Sequence, residues 1–122
     1  MYYALVCYSE IEFQHINIIR KKYDPTFNIV DPHITILFPV PETVGQENLI
    51  NHITTIVKNQ RPFPIHIYGF EKSWDNWLFL CLKRGNDEIV SLYKELYKGI
   101  LQKYQRSDIE FIPHISLGLF VK

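Results

Sequence analysis

The sequence predicts an α+β domain in which helices pack outside a sheet of mainly antiparallel strands. Segments with apolar residues at helical spacing alternate with short runs rich in β-branched and aromatic residues. A tight turn at residues 74–76 separates two neighbouring strand segments, and a connection this short joins antiparallel strands. Hydrophobic residues make up 47% of the 122 residues and charged residues 21%, so we expect one packed domain over residues 1–122.

The first third of the chain predicts two strands on either side of one helix. Residues 2–8 are rich in aromatic and aliphatic side chains, which is typical of a strand. Ser9 and Glu12 have the spacing of a helix capping box, isoleucines follow at helical spacing, and Asp24-Pro25 ends the helix. Residues 33–40 form the second predicted strand.

The rest of the chain predicts two helices and three strands. Residues 47–59 carry aliphatic side chains at helical spacing, and residues 63–70 alternate as a strand does. Residues 77–83 are apolar on both faces, so this strand is predicted to lie inside the sheet. A long helix is predicted over residues 87–105, and a last strand over residues 111–121.

One short pattern occurs twice, as Pro32-His33-Ile34-Thr35-Ile36 and as Pro113-His114-Ile115-Ser116-Leu117. In a β-strand, side chains two positions apart share a face. Each copy therefore puts an imidazole and a hydroxyl on one face and large aliphatic side chains on the other. We expect the aliphatic face to join the core and the polar face to carry chemistry.

The residue types on the polar face suit phosphoryl chemistry. The histidine and the hydroxyl of each copy project about 6.6 Å apart, a separation that one phosphate group can bridge. With the two copies on opposite sides of the phosphate, a neutral histidine takes a proton from the nucleophile and a protonated one gives a proton to the leaving oxygen. Histidine fits because its ordinary pKa, about 6.5, makes both forms available near neutral pH. We expect no metal and no cofactor to be required.

These patterns resemble the paired His-x-Thr/Ser-x motifs of the 2H phosphoesterase superfamily, which includes the 2′-5′ RNA ligases and cyclic phosphodiesterases. The resemblance covers nearly the whole chain, because further segments are similar to family blocks in family order. These segments are Tyr3-Ala4-Leu5, His33 to Phe38, Arg61-Pro62-Phe63-Pro64-Ile65 running to Gly69-Phe70, Leu78-Phe79-Leu80, and Ile112 to Gly118.

The resemblance implies a bilobal fold, with two pseudo-symmetric lobes around a central cleft and one motif from each lobe. It implies that His33 and His114 are the catalytic acid–base pair and that Thr35 and Ser116 hold the phosphate. One departure is that many family members continue past the second motif with a further helix and strand. We therefore expect a more open cleft, or a homodimer in which a partner subunit covers an exposed sheet edge.

Other residues leave alternatives open. His66 and Tyr68 either line the cleft or lie on a solvated face of the sheet. A metal site built from His33, His114 and a third ligand such as His66 is an alternative, although zinc sites usually show tighter ligand spacing. Trp74 and Trp77 flank the predicted hairpin, where they either stack on a nucleobase or pack in the turn and core.

Charge and composition limit the classes of partner. Thirteen basic residues balance thirteen acidic ones, which argues against extended nucleic-acid binding and favours a small nucleotide or an RNA terminus. The basic run Arg20-Lys21-Lys22 falls at a predicted helix end, where cations complement the helix dipole. Cys7 and Cys81 are expected to be buried thiols. Without a signal peptide or a long apolar run, the sequence predicts a cytoplasmic protein that does not bind membranes.

The sequence thus supports two main hypotheses of function. The first is a phosphoesterase that acts on a 2′,3′-cyclic phosphate or a 2′-5′ linkage in a nucleotide or short RNA, by acid–base catalysis with the histidine pair. The second is a nucleotide- or RNA-end-binding module with little turnover. A protein-interaction scaffold, with neither activity nor nucleotide affinity, is a third.

Overall fold

A computed structural model describes residues 1–8 and 14–120 of the chain. Its five strands are β1 (Tyr2–Tyr8), β2 (His33–Pro41), β3 (His66–Lys72), β4 (Trp77–Arg84) and β5 (His114–Leu119). Its α-helices are α1 (Gln14–Tyr23), α2 (Gln46–Val57) and α3 (Asn86–Leu96), and short 3-10 helices span Glu42–Val44 and Gly99–Tyr104. The predicted Ser9–Glu12 capping box lies outside the described residues.

The strands form one antiparallel sheet in the order β1-β2-β5-β4-β3. This confirms the predicted α+β fold class, and the elements follow one another along the chain in the predicted order. The two strands that carry the repeated pattern, β2 and β5, are neighbours in the middle of the sheet. Strand β4 lies between β5 and β3, as its apolar sequence predicts.

The aliphatic side chains of the two patterns form the centre of the hydrophobic core. Ile34, Ile36, Ile115 and Leu117 are each at most 8% exposed. All three α-helices contribute side chains that pack against this cluster, including Ile19 of α1, Ile56 of α2 and Ile89 of α3. The helices therefore cover one face of the sheet, and the polar side chains of both patterns point to the other face.

The predicted helix over residues 87–105 is wrong in its second half. Helix α3 ends at Leu96, and Gly99 follows with a φ of 65°, in the left-handed region that ends helices. The chain then continues as the 3-10 helix Gly99–Tyr104. Gly99 is the signal in the sequence for this break.

Prolines account for the shorter strands. Strand β3 begins at His66 rather than at residue 63, because Pro62 and Pro64 have no N–H to give to a sheet. Strand β5 begins at His114 rather than at residue 111, directly after Pro113. The cysteines also differ from expectation, since Cys7 and Cys81 are free thiols but half-buried rather than buried. In the described part of the chain, no helix is both long enough and apolar enough to cross a bilayer.

Candidate active site

The antiparallel register of β2 and β5 brings the two patterns together. Ile34 lies opposite Ile115. Continuing this register by one residue each way sets His33 opposite Ser116 and Thr35 opposite His114. All four side chains leave the face of the sheet opposite to the buried isoleucines, and all four residues are half-buried. Two imidazoles and two hydroxyls thus share one patch in the middle of the sheet.

Both imidazoles are oriented by the same local hydrogen bond. The Nδ1 atom of His33 lies 2.9 Å from the carbonyl oxygen of Asp31, and Nδ1 of His114 lies 2.5 Å from that of Ile112. A carbonyl oxygen only accepts hydrogen bonds, so each Nδ1 carries the hydrogen. In the neutral form, Nε2 is then the nitrogen that takes up a proton. In both patterns the residue between the carbonyl and the histidine is a buried proline with a fixed φ, which makes the arrangement local and repeatable.

The surroundings of His114 lower its pKa. Burial is the main cause, because a charged imidazole loses solvation there, and the positive charge of His33 adds to the effect. The Ile112 carbonyl and Asp75 act in the opposite direction. The ring of Phe79 stacks on the imidazole, with 3.4 Å between ring centroids. His114 therefore favours the neutral form.

The surroundings of His33 are more open. Its ring meets the edge of Tyr8, with centroids 6.1 Å apart, and Tyr8 lies opposite it on β1 and is 57% exposed. Val6 of β1 lies opposite Thr35. This end of the patch faces β1, the edge strand of the sheet.

A cavity of about 500 Å³ lies on the other side of the patch. His114 and Ser116 are among its lining residues, whereas His33 and Thr35 are not. Half of its described lining residues are Phe, Tyr or Trp: Phe38, Trp77, Phe79, Tyr93, Tyr97, Tyr104 and Phe111. Its polar lining includes Arg106 and Glu110, on the connection before β5. Within the described residues, the aromatic cavity therefore lies on the His114 side of the patch.

The structure does not bring His66 and Tyr68 to the patch. They lie on β3, at the far edge of the sheet from β1, and neither lines the cavity that contains His114. His66 is exposed and Tyr68 is 70% exposed, with Nζ of Lys83 at 5.5 Å from its ring centroid. Within residues 1–8 and 14–120, no three His, Cys, Asp or Glu side chains are grouped so that they could hold one metal ion.

The two tryptophans separate, and sequence reasoning missed most of the cavity. Trp77 lines the cavity, whereas Trp74 at the hairpin is 80% exposed. The sequence names Phe79 only within the segment Leu78-Phe79-Leu80 and gives it no role in the site. Its position two residues from Cys81 nevertheless puts both on the polar face, since Cys81 lies opposite His114. Tyr93 comes from the last part of α3 and Tyr97 directly follows that helix, and no pattern in the sequence connects them with β5.

Comparison with known proteins agrees with this geometry. The chain belongs to the 2′-5′ RNA ligase superfamily, because the model of that family matches residues 9–122. Two similar proteins, each named "Putative phosphoesterase", come from Bacillus cereus strain B4264 and Bacillus mycoides strain KBAB4. Each is 30% identical over 105 residues, which cover 84% of this chain and 59% of the relative. The chain thus spans about three-fifths of the length of these relatives, and the predicted resemblance to the 2H phosphoesterases is confirmed.

Proposed function

We propose that this chain is a phosphoesterase that acts on a 2′,3′-cyclic phosphate or a 2′-5′ phosphodiester of a nucleotide or short RNA. The observation that carries the proposal is the patch on β2 and β5, where two imidazoles with the same tautomer and two hydroxyls share one face of the sheet. The family and the names of the relatives support phosphoester chemistry in general. The substrate class and the roles of the residues are our inference.

Hydrolysis in this patch requires two proton transfers. His114, which favours the neutral form, takes a proton from water as the water oxygen attacks phosphorus. The bond from phosphorus to the ribose oxygen on the opposite side breaks, and protonated His33 gives that oxygen a proton. Exchange with solvent then restores the starting protonation states. Histidines supply both transfers, so the reaction needs no metal ion.

The hydroxyls of Thr35 and Ser116 donate hydrogen bonds to the non-bridging phosphoryl oxygens. Hydrogen bonds from fixed donors stabilise the negative charge that develops on these oxygens in the transition state. The aromatic cavity next to His114 and Ser116 offers flat apolar walls on which one nucleobase of the substrate can stack.

The same cavity favours a second candidate, a nucleotide- or RNA-end-binding module with little turnover. An aromatic compartment beside an anion-binding patch binds a nucleotide whether or not the phosphate reacts. The two candidates differ only in catalysis, so one experiment separates them.

The experiment is a screen of the purified protein against the four nucleoside 2′,3′-cyclic monophosphates and a 2′-5′ dinucleotide, with a chelator present. The blank is the double variant His33→Ala/His114→Ala, and the matched control is His15→Ala, which removes an exposed histidine of α1. We expect turnover by the parent and by the control, and none by the double variant. Affinity for nucleotides without turnover would support the binding module, and neither activity nor affinity would contradict both candidates.

A further inference from the structure

The β-ladder between the two histidine strands is short. Within the described residues, β2 and β5 are in register only at Ile34 and Ile115. The buried aliphatic face of the two strands fixes their register, but so short a ladder leaves room for contacts outside it to affect how each imidazole is placed. The last turn of α1, residues 20–23, contacts the segments next to both patterns.

Arg20 holds the connection that leads into β2. Its side chain is 2% exposed, although the sequence predicts only a basic run at a helix end. Its Nε donates to Oδ2 of Asp24 over 2.8 Å, and its Nη2 donates to the carbonyl oxygen of Val30 over 2.6 Å. Arg20 thus joins both ends of the segment 24–30 to α1.

Asp24 extends this network into the same connection. Its Oδ1 accepts hydrogen bonds from both the backbone N–H and the hydroxyl of Thr26, at 2.8 and 2.7 Å. Burial alone would raise the pKa of Asp24, but the hydrogen bonds from Thr26 and Arg20 outweigh burial and lower it. The carboxylate is therefore charged, and both of its oxygens accept hydrogen bonds, from Arg20 and from Thr26.

The carbonyl that Arg20 holds is one residue away from the carbonyl that orients His33. Val30 accepts from Arg20, and the next residue, Asp31, accepts from Nδ1 of His33. Only Pro32, with its fixed φ, lies between Asp31 and the histidine. Fixing the Val30 carbonyl therefore also restricts the Asp31 carbonyl and the His33 ring, because the backbone between them is short and Pro32 is rigid.

The same turn of α1 also packs closely against β5. A Cβ built on Gly118 would lie 2.5 Å from Cβ of Tyr23, so the glycine lets α1 approach the strand two residues after Ser116. The Tyr23 ring also packs against Phe120, with centroids 4.4 Å apart. One turn of α1 therefore contacts the chain next to both halves of the patch.

We propose that Arg20, in the last turn of α1, is a positioning residue for His33 and thereby helps to set the geometry of the histidine pair. Arginine is needed because its planar fork bonds the Asp24 carboxylate and the Val30 carbonyl at once, which a lysine ammonium on a flexible stem does not reproduce. The catalytic consequence rests on the proposed function, whereas the placement of His33 does not.

The test uses two variants of the full chain and one control. Arg20→Lys keeps the charge opposite Asp24 and removes the fork. Arg20→Met/Asp24→Leu replaces the buried pair by apolar side chains, an exchange that often preserves folding. Lys21→Gln removes a neighbouring exposed charge from the same helix turn. Nitrogen-15 NMR of the imidazoles reports the tautomer of each histidine, and circular dichroism reports folding.

We expect both Arg20 variants to fold and to lose the Nδ1–H preference of His33, while the tautomer of His114 and the Lys21→Gln spectra stay unchanged. In a turnover assay, kcat is expected to fall about 10- to 100-fold with little change in KM, as for a misplaced catalytic group. A folded variant with an unchanged His33 tautomer overturns the proposal. Equal changes at both histidines, or unfolding of both variants, also overturn it, because Arg20 would then be only structural. The NMR result stands even if the parent shows no turnover.

Discussion

His33 on β2 and His114 on β5 each follow a buried proline, and each donates its Nδ1 hydrogen to the carbonyl two residues earlier. Beyond this bond their environments differ. In the described part of the chain, His114 is stacked on Phe79 beside an aromatic cavity, whereas the His33 ring has an edge contact with the exposed Tyr8. The same local hydrogen bond thus orients both imidazoles, whereas the surroundings of His114 also lower its pKa.

The largest effect is expected from removing either imidazole. His33→Ala and His114→Ala should each lower kcat by about 10²- to 10⁴-fold, because each removes one of two proton transfers. The double variant should lose little more than either single variant, since the pair acts as a unit. Turnover of the best cyclic phosphate measures this, with His15→Ala as control. A variant that retains half of the activity would show that its histidine is not in the pair.

Removing either hydroxyl of the patch is expected to reduce activity less than removing an imidazole. Thr35→Ala and Ser116→Ala should each lower kcat/KM about 10- to 100-fold, because a hydrogen bond to a charged group is worth about 1.5–3 kcal/mol. Thr35→Ser keeps the hydroxyl and should retain most of the activity. If Thr35→Ser is as impaired as Thr35→Ala, packing rather than the hydroxyl explains the effect.

On the β5 side, the fold depends on a close approach between Gly118 of β5 and Tyr23 of α1. The β2 side is held instead by hydrogen bonds from Arg20. Gly118→Ala should destabilise the fold by about 1–3 kcal/mol, since the added methyl group would lie 2.5 Å from Cβ of Tyr23. Denaturant unfolding measures the loss. In a Tyr23→Gly background, adding Gly118→Ala should lower the free energy of unfolding by less than it does in the parent, because the clashing Cβ of residue 23 is gone. Equal midpoints for the parent and Gly118→Ala would contradict the close contact.

The smallest effect concerns pH. Because the pKa of His114 is lower in the folded than in the unfolded chain, the unfolded chain binds this proton more readily. The contribution of His114 to the free energy of unfolding is therefore complete above its ordinary pKa of 6.5 and is lost as the pH falls through the folded pKa. His114→Gln should flatten this part of the pH dependence, and His15→Gln should not. The same slope in both variants would show that another group is responsible.

Local features of the sequence predicted much of this fold. The order of elements and the aliphatic core face of both patterns follow from periodicity, because alternation in a strand fixes which side chains share a face. Glycine and proline predict where helices and strands end better than apolar spacing does, as Gly99 shows after the third helix. Apolar spacing continues past Leu96 although the helix does not.

The rest depends on contacts between distant segments. No local pattern indicates that Ile34 pairs with Ile115, or that Tyr97, which follows α3, lines the same cavity as Phe79 of β4. Arg20 shows the same limit in another way. Its place in a basic run predicts only a cation at a helix end, whereas the structure buries its side chain against Asp24 and Val30.

The central claim is that His33 and His114 flank one phosphate. The most direct test is a titration of the protein with a nucleoside 2′-monophosphate, in which nitrogen-15 NMR follows both imidazoles at constant pH. We expect the His33 and His114 signals to shift toward the protonated form together, with one dissociation constant, because the bound anion stabilises positive charge on both rings. A shift of only one histidine, or different dissociation constants for the two, would contradict it.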